Sequence, residues 1–231
     1  MFGVVSETSY DLHFSVSRIP VRVSVWFWVG GAILGFDTLK LGVQYLLAWL
    51  LVLLVSILVH ELGHAWTARW FGYSPSILLY QFGGLAFYQP WGRHSRTRSV
   101  LISLAGPGAG FVLYGLTELF IHFVVPRFYF NMAPTFRPLL GFILGEMEYV
   151  NLYWGLVNLL PVLPLDGGRV TEQVCGYFSP FRGLLYTAWI GAIVGGLVAL
   201  SFFKEENQYA GFLFLMLAFS NVNIIQQWRY R

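Results

Sequence analysis

Long apolar stretches separated by short polar segments dominate the hydropathy pattern of this chain. A spanning helix needs about 20 mainly apolar residues, and five uncharged runs approach or reach that length: Leu41–Val59, Ser99–Thr117 with its continuation to Val125, Tyr149–Leu165, Gly183–Phe203 and Asn207–Trp228. A sixth run, Val23–Phe36, has fourteen residues. It either spans with help from its flanks or lies in the interface, and we expect it to span. The pattern predicts an α-helical integral membrane protein with about six transmembrane helices.

Two other stretches have the alternation and the β-branched and aromatic residues that are typical of strands. The first is the N-terminal strand region, residues 1–22, where we expect one or two strands bent near Pro20. The second follows the second apolar run and predicts a membrane-associated β-hairpin over residues 76–90. We place its turn around Gly83-Gly84, because glycines are common in tight hairpin turns.

The composition supports a membrane protein and argues against other classes of protein. The 231 residues are 57% hydrophobic and 11% charged, with a mean hydropathy of +0.63, whereas soluble domains are about 25% charged. A disordered chain is excluded, and a soluble domain would lack the charges for its surface. The single cysteine, Cys175, excludes an intrachain disulfide and a cysteine-rich zinc site. We see no secretory signal, repeat or linker, and expect one membrane-embedded domain over residues 1–231.

The charge distribution predicts the orientation of the chain. The net charge is +3 and the pI is about 9.0, an excess that is typical of basic residues on the cytoplasmic side of a membrane. Nucleic acid is not an expected partner. With six spans, ten Lys and Arg residues fall on one side and four on the other; without the first span the division is eight against six. In both cases the second run passes from outside to inside.

The second apolar run ends in the sequence His60-Glu61-Leu62-Gly63-His64. Two histidines four residues apart lie on one face of a helix, where two imidazoles can bind one Zn²⁺. The carboxylate of Glu61 lies beside the first histidine and can accept a proton from water at such a metal. Ionisable residues at membrane depth are costly and therefore indicate function. The alternative is an ordinary helix end at the interface, with a capping glutamate.

A third ligand is expected, because a catalytic zinc usually has three protein ligands and one open position. Asp166 is the candidate, since the fourth predicted span would bring it to about the depth of the two histidines. Pro161 and Pro164 precede it and interrupt helical hydrogen bonding, and Gly167 and Gly168 follow it and permit a tight turn. Asp166 could equally cap a helix at the cytoplasmic surface, and the residue pattern leaves both readings open.

Taken together, these motifs resemble the site-2 protease family of intramembrane zinc metalloproteases over roughly residues 20–225. The resemblance rests on HELGH at the end of an apolar helix and on Asp166 within the sequence NLLPVLPLDGGR. Two shorter elements add to it, Leu104-Ala105-Gly106-Pro107 and Phe82-Gly83-Gly84. The family pattern implies zinc ligands at His60, His64 and Asp166, a general base at Glu61, an oxyanion or substrate contact at Asn158, and a substrate-binding strand at Gly83 and Gly84.

The resemblance also implies a function, partners and a location. We expect a zinc metalloendopeptidase with one Zn²⁺ that cleaves in or near the transmembrane segment of a membrane protein, as in regulated intramembrane proteolysis. It would be a compact form without a PDZ or CBS domain, in a prokaryotic inner or cell membrane, with its active site toward the cytoplasm. Its partners would be the substrate and the lipid bilayer, and the oligomeric state is left open.

Two other functions compete with proteolysis. A metal transporter could use the same histidine and aspartate ligands, and a catalytically silent homologue could bind membrane segments. A transport site needs no base beside its ligands, and silent homologues typically lose a ligand or the base. The presence of Glu61 beside both histidines therefore favours the protease.

Overall fold

The computed structural model describes residues 7–89 and 95–229. Their strands and α-helices, in chain order, are β1 (Leu12–Val16), β2 (Ile19–Val23), α1 (Val25–Leu34), α2 (Val43–Trp70), β3 (Ser76–Tyr80), β4 (Gly83–Phe87), α3 (Arg96–Phe123), α4 (Val125–Phe128), α5 (Arg137–Asn158), α6 (Asp166–Phe178), α7 (Gly183–Lys204) and α8 (Gln208–Arg229). Short 3-10 helices cover Phe36–Leu41 and Tyr129–Asn131. Positions 1–6 and 90 of the two predicted strand regions lie outside the described residues.

Four described segments are long and apolar enough to cross a membrane: α2, the stretch Arg96–Asn131 that begins with α3, α7, and α8 as far as Trp228. The chain is therefore a mostly helical membrane protein with a small sheet, as predicted. Helix α1 has ten residues, and α5, which carries Glu146 and Glu148 in its interior, is not among the four. The count of six spans stays a prediction.

Two of the predicted helices differ in their bounds. The fourth run was placed at 149–165, but α5 begins at Arg137 and ends at Asn158. It stops there because Pro161 and Pro164 lack the N–H groups that a continued helix would need. The second run was placed at 41–59, but α2 continues to Trp70.

The described residues divide into two compact units. The first comprises Met1–Gly92 and Gly108–Gly155, and the second comprises Arg93–Pro107 and Leu156–Arg231, each over its described part. The expectation of one membrane-embedded domain stays a prediction, and each unit is described by itself below.

The first unit contains a four-stranded sheet in the order β1-β2-β3-β4. Strands β1–β2 and β3–β4 form antiparallel hairpins, and β2 pairs with β3 in parallel. Ser17 and Arg18 turn the first hairpin with φ values of 50° and 63°, as a type I′ turn requires. Both predicted strand regions are confirmed. However, Pro20 lies inside β2, and the second hairpin turns before Gly83, which is the first residue of β4.

One face of this sheet packs against α2 and α5. Its inward residues come from β2 and β3, and they join buried side chains of α2 in one apolar cluster that includes Ile19, Val21, Val23, Ile77, Leu79, Ile57 and Leu62. Helix α5 is tied to α2 through Asn151, whose Nδ2 donates to Ser56 Oγ at 2.9 Å and to Met147 O at 2.7 Å. This polar contact lies one helical turn before His60.

The start of α1 is held by a buried carboxylate. Asp11 accepts hydrogen bonds from the Thr8 hydroxyl at 2.6 Å and from the Val25 N–H at 3.2 Å, and its Oδ2 lies 3.2 Å from Arg22 Nε. The hydrogen bond from Thr8, followed by that from Val25 and the charge of Arg22, holds the pKa of Asp11 below its ordinary value against the opposing effect of burial. Asp11 therefore links the first hairpin to the first helix.

The second unit is built around α6, α7 and α8. Its apolar cluster includes Val162, Ala199, Phe214 and Leu217. Helices α7 and α8 approach closely because α7 presents glycine at the contact: a Cβ on Gly195 would lie 3.2 Å from the Cβ of Ala218. Small residues at such contacts are characteristic of helix packing in membranes.

Candidate metal centre

Helix α2 places His60, Glu61 and His64 together in the interior of the first unit. Their residues are 3%, 5% and 6% exposed, so all three are buried although all three are ionisable. The two histidines lie one turn apart because the helix is regular through this segment and continues to Trp70. The sequence placed them at a helix end; the structure places them inside the helix, which excludes the reading of Glu61 as a capping residue.

The separation of the two imidazoles fits a tetrahedral zinc ion. Zinc–nitrogen bonds of about 2.05 Å at a tetrahedral angle place two nitrogen ligands about 3.3 Å apart. In the structure, His60 Nε2 and His64 Nε2 are 3.2 Å apart, with the ring planes at 79° to one another. The distance between the two Nε2 atoms is therefore compatible with two ligands of one ion.

The carboxylate of Glu61 completes this group. Ligand atoms of His60, Glu61 and His64 all lie within 4.8 Å of one another, and in the part of the chain that the structure describes no other such cluster of three His, Cys, Asp or Glu residues occurs. Imidazole nitrogens and carboxylate oxygens are donors that Zn²⁺ accepts, so this group is a candidate zinc site.

Strand β4 lies directly against Glu61. A Cβ added to Gly84 would be 2.6 Å from both Cδ and Oε1 of Glu61, which is far inside van der Waals contact. Gly83 has a φ of +122°, and a Cβ there would lie 2.8 Å from Cζ2 of Trp154. Gly83 thus lets the backbone pass close to Trp154, and Gly84 lets it contact the side chain of Glu61.

The other edge of β4 is open among the described residues, because β4 pairs with β3 alone. The loop of this hairpin has two residues, so Tyr80 and Gly83 are paired across it, and the register continues with Leu79 opposite Gly84 and Ile77 opposite Ala86. A two-residue loop closes on a hydrogen-bonded pair, after which the pairs alternate. Gly84 and Ala86 therefore direct their N–H and C=O groups toward the open edge.

In the second unit, Asp166 is the first residue of α6 and is 8% exposed. The turn before it contains a cis Leu163-Pro164 bond. Gly167 and Gly168 were expected to form a tight turn; instead they belong to the first turn of α6 and lie against the backbone of the preceding segment, where a Cβ on Gly168 would be 2.6 Å from Leu163 N. Asp166 is therefore buried at a helix start, with N-cap Leu165.

Asn158 is the last residue of α5 and is also assigned to the second unit. The structure brings together His60, Glu61, His64 and Gly84. The joint zinc ligation by His60, His64 and Asp166 stays a prediction, as does the role of Asn158.

Two polar contacts were not predicted from the sequence: Asn151 with Ser56 in the first unit, and Asn221 with the Leu163 carbonyl in the second unit. The close approach of the Trp154 ring to Gly83 in the first unit was not predicted either. A signal was present for the two asparagines, because each lies in a run without charged residues, and polar side chains in such runs are expensive in a membrane unless they are paired.

A buried His-Glu-His group on a helix of membrane-spanning length defines a membrane metalloprotein. Residues 48–140 match the model of peptidase family M50. This match includes the histidine motif and β4, and it ends before Asn158 and Asp166. Over these residues the chain belongs to the M50 family, the family of the site-2 proteases.

The relatives agree with this assignment. The chain is 30% identical over 189 residues to zinc metalloprotease MJ0392 of Methanocaldococcus jannaschii, covering 81% of this chain and 51% of the relative. It is 31% identical over 203 residues to putative zinc metalloprotease sll0528 of Synechocystis, covering 79% and 49%. The chain thus spans about half the length of the curated relatives it matches.

A solved structure has the same fold. The site-2 protease from Methanocaldococcus jannaschii matches with a TM-score of 0.62 at 21% identity, over 94% of this chain and 95% of that chain. The family, the relatives and the buried His-Glu-His group together support zinc as the metal of this centre.

Proposed function

We propose that this chain is an intramembrane zinc metalloprotease that hydrolyses a peptide bond in or near the transmembrane segment of a membrane-protein substrate, as in regulated intramembrane proteolysis. The observation that carries the proposal is the buried group His60, Glu61 and His64 on α2, a helix of spanning length and hydropathy. Three ionisable groups in such a helix are too costly to retain without a function.

His60, His64 and Asp166 would hold one zinc ion. When bound, such an ion supplies a Lewis acid that polarises the scissile carbonyl and acidifies water. Glu61 accepts the proton of the attacking water and returns it to the leaving amine. Asn158 donates its amide N–H to the oxyanion that develops on the carbonyl. The burial of Glu61 strengthens these interactions, because they act in a low local dielectric.

The open edge of β4 is the proposed binding site for the substrate. A peptide bond inside a helix is shielded and hydrogen-bonded, so the substrate must unwind before it can be cut. An unwound segment can pair with Gly84 and Ala86 by strand addition. Since Gly84 contacts Glu61, a segment paired there passes beside the general base.

The proposed topology has six spans, with α1 and α5 added to the four segments above. The excess of Lys and Arg on one side supports an active site toward the cytoplasm of a prokaryotic inner or cell membrane. The expected partners are the lipid bilayer and a transmembrane substrate.

The test is Glu61→Gln, which retains the volume of the side chain and removes the base. The membrane proteomes of cells that carry the wild-type or the variant protein are compared, and the zinc content of both purified proteins is measured. We expect equal zinc in both proteins and a substrate fragment that appears with the wild type alone. Zinc in both proteins without any fragment would contradict proteolysis, and no zinc in the wild type would contradict the metal centre.

A further inference from the structure

We propose that Asn221 of α8 is a positioning residue that holds the proline turn, residues 159–165, from which Asp166 is presented. This inference rests on the proposed role of Asp166 as a zinc ligand. It concerns the second unit alone, which contains Asn221, the proline turn and α6.

Asn221 is completely buried, with 0% exposure, in a helix of spanning length. Its Nδ2 donates two hydrogen bonds, one to Leu217 O of its own helix at 2.9 Å and one to Leu163 O at 2.8 Å. A carboxamide is costly to bury unless it is hydrogen-bonded. The second hydrogen bond connects α8 to the proline turn, and a leucine at this position could not make it.

The Leu163 carbonyl lies in a turn that is not helical, and it accepts a hydrogen bond from a neighbouring helix. Pro161 and Pro164 have no N–H and interrupt the regular helical pairing of this segment. Within the turn, the Val162 N–H donates to Leu160 O at 2.7 Å and the Leu165 N–H donates to Val162 O at 2.8 Å. Asn221 adds a bond from a neighbouring helix and so connects the turn to the α7–α8 pair.

The proline turn contacts the first turn of α6 directly, so the position of the turn determines the position of Asp166. The first turn of α6 lies against it without intervening side chains: a Cβ on Gly168 would be 2.6 Å from Leu163 N, and one on Gly167 would be 2.5 Å from Leu160 O. A shift of Leu163 therefore moves the backbone of α6 at Gly168, two residues after the proposed ligand.

Helix α7 provides the space for this contact. A Cβ on Gly191 would lie 2.8 Å from Asn221 Cγ, so any larger residue would displace the amide. The Oδ1 of Asn221 faces the same glycine and has no hydrogen-bond partner among the described residues. The amide is thus held through its N–H groups, which is the orientation that satisfies the Leu163 carbonyl.

The experiment compares Asn221→Leu with Thr187→Val in the full-length protein. Thr187 is equally buried in α7, but its hydroxyl donates to Gly183 O of its own helix. Gly191→Ala is a second variant, which retains every polar group and crowds Asn221. Far-ultraviolet circular dichroism and melting in detergent establish that each protein is folded.

Two measurements are made on each variant. Amide hydrogen exchange of metal-free protein reports the protection of the turn at Val162 and Leu165, and competition with a chelator reports the affinity for Zn²⁺. For Asn221→Leu and Gly191→Ala we expect faster exchange in the turn and a zinc affinity reduced about 10- to 100-fold, the usual range when an orienting contact of a metal ligand is lost. For Thr187→Val we expect wild-type values of both.

The outcomes separate this inference from the proposed function. Turn protection in Asn221→Leu equal to that of wild type overturns the inference, and so does faster exchange with unchanged zinc affinity. A wild-type protein that binds no zinc contradicts the proposed function, and the exchange measurement still decides whether Asn221 holds the turn.

Discussion

The contact between Gly84 and Glu61 leads to the most direct prediction about catalysis. Gly84→Ala adds a methyl group 2.6 Å from Cδ and Oε1 of the general base. Glu61 Cγ would be closer still, and ordinary carbon contacts are about 3.5 Å or longer, so the Glu61 side chain or the strand must move by about 1 Å or more. Overpacking of this kind costs about 1–3 kcal/mol, and a misplacement of about 1 Å at a reacting group can reduce the rate about 100-fold.

We therefore expect Gly84→Ala to lower kcat about 100-fold while zinc content stays at the wild-type value. The histidines are untouched by the new methyl group, and the N–H of residue 84 remains available for pairing. The assay is cleavage of the substrate found by the proteome comparison, with zinc content measured on the same preparation.

A matched control is Gly108→Ala in α3, where a Cβ would have no atom within 4 Å. This variant should retain full activity, and it should be slightly more stable because alanine is favoured over glycine in a helix. If Gly84→Ala cleaves as fast as Gly108→Ala, the close packing of β4 on the general base has no catalytic consequence and the argument fails.

Three further predictions concern the first unit. Ala86→Pro removes an N–H from the open edge of β4 without affecting the ladder to β3, so it should raise KM for the substrate, whereas Ala86→Val should not; equal KM values would contradict strand addition. Asn151→Leu leaves Ser56 without its interhelical donor and should lower the free energy of unfolding by about 1–3 kcal/mol, measured by denaturation in detergent against wild type. The lowered pKa of Asp11 means that its stabilisation is complete above the ordinary carboxyl pKa of about 3.9 and is lost as pH falls through that value toward the lower folded pKa. Melting temperatures below pH 4 should therefore fall more steeply for wild type than for Asp11→Asn, and parallel curves would refute the assignment.

The local sequence pattern was enough to predict many of the helices and strands of this protein. The apolar runs specified helices of spanning length, because hydrocarbon thickness sets a minimum length that can be counted along the chain. His60 and His64 could be placed on one face because the period of a helix is known before any fold is known. The strands in both regions followed from residue types, since strand propensity depends on neighbouring residues, but the positions of the two turns did not.

Contacts between residues far apart in the chain required the tertiary structure. Gly84 was recognised from a motif, but its position against Glu61 depends on how the sheet packs on α2. The hydrogen bond from Asn221 to Leu163 joins residues 58 positions apart. In the sequence, an asparagine within an uncharged run could show only that its side chain needed a partner. Periodicity describes forces that act within a turn or a strand pair, whereas the packing of backbone against a functional side chain depends on which surfaces meet.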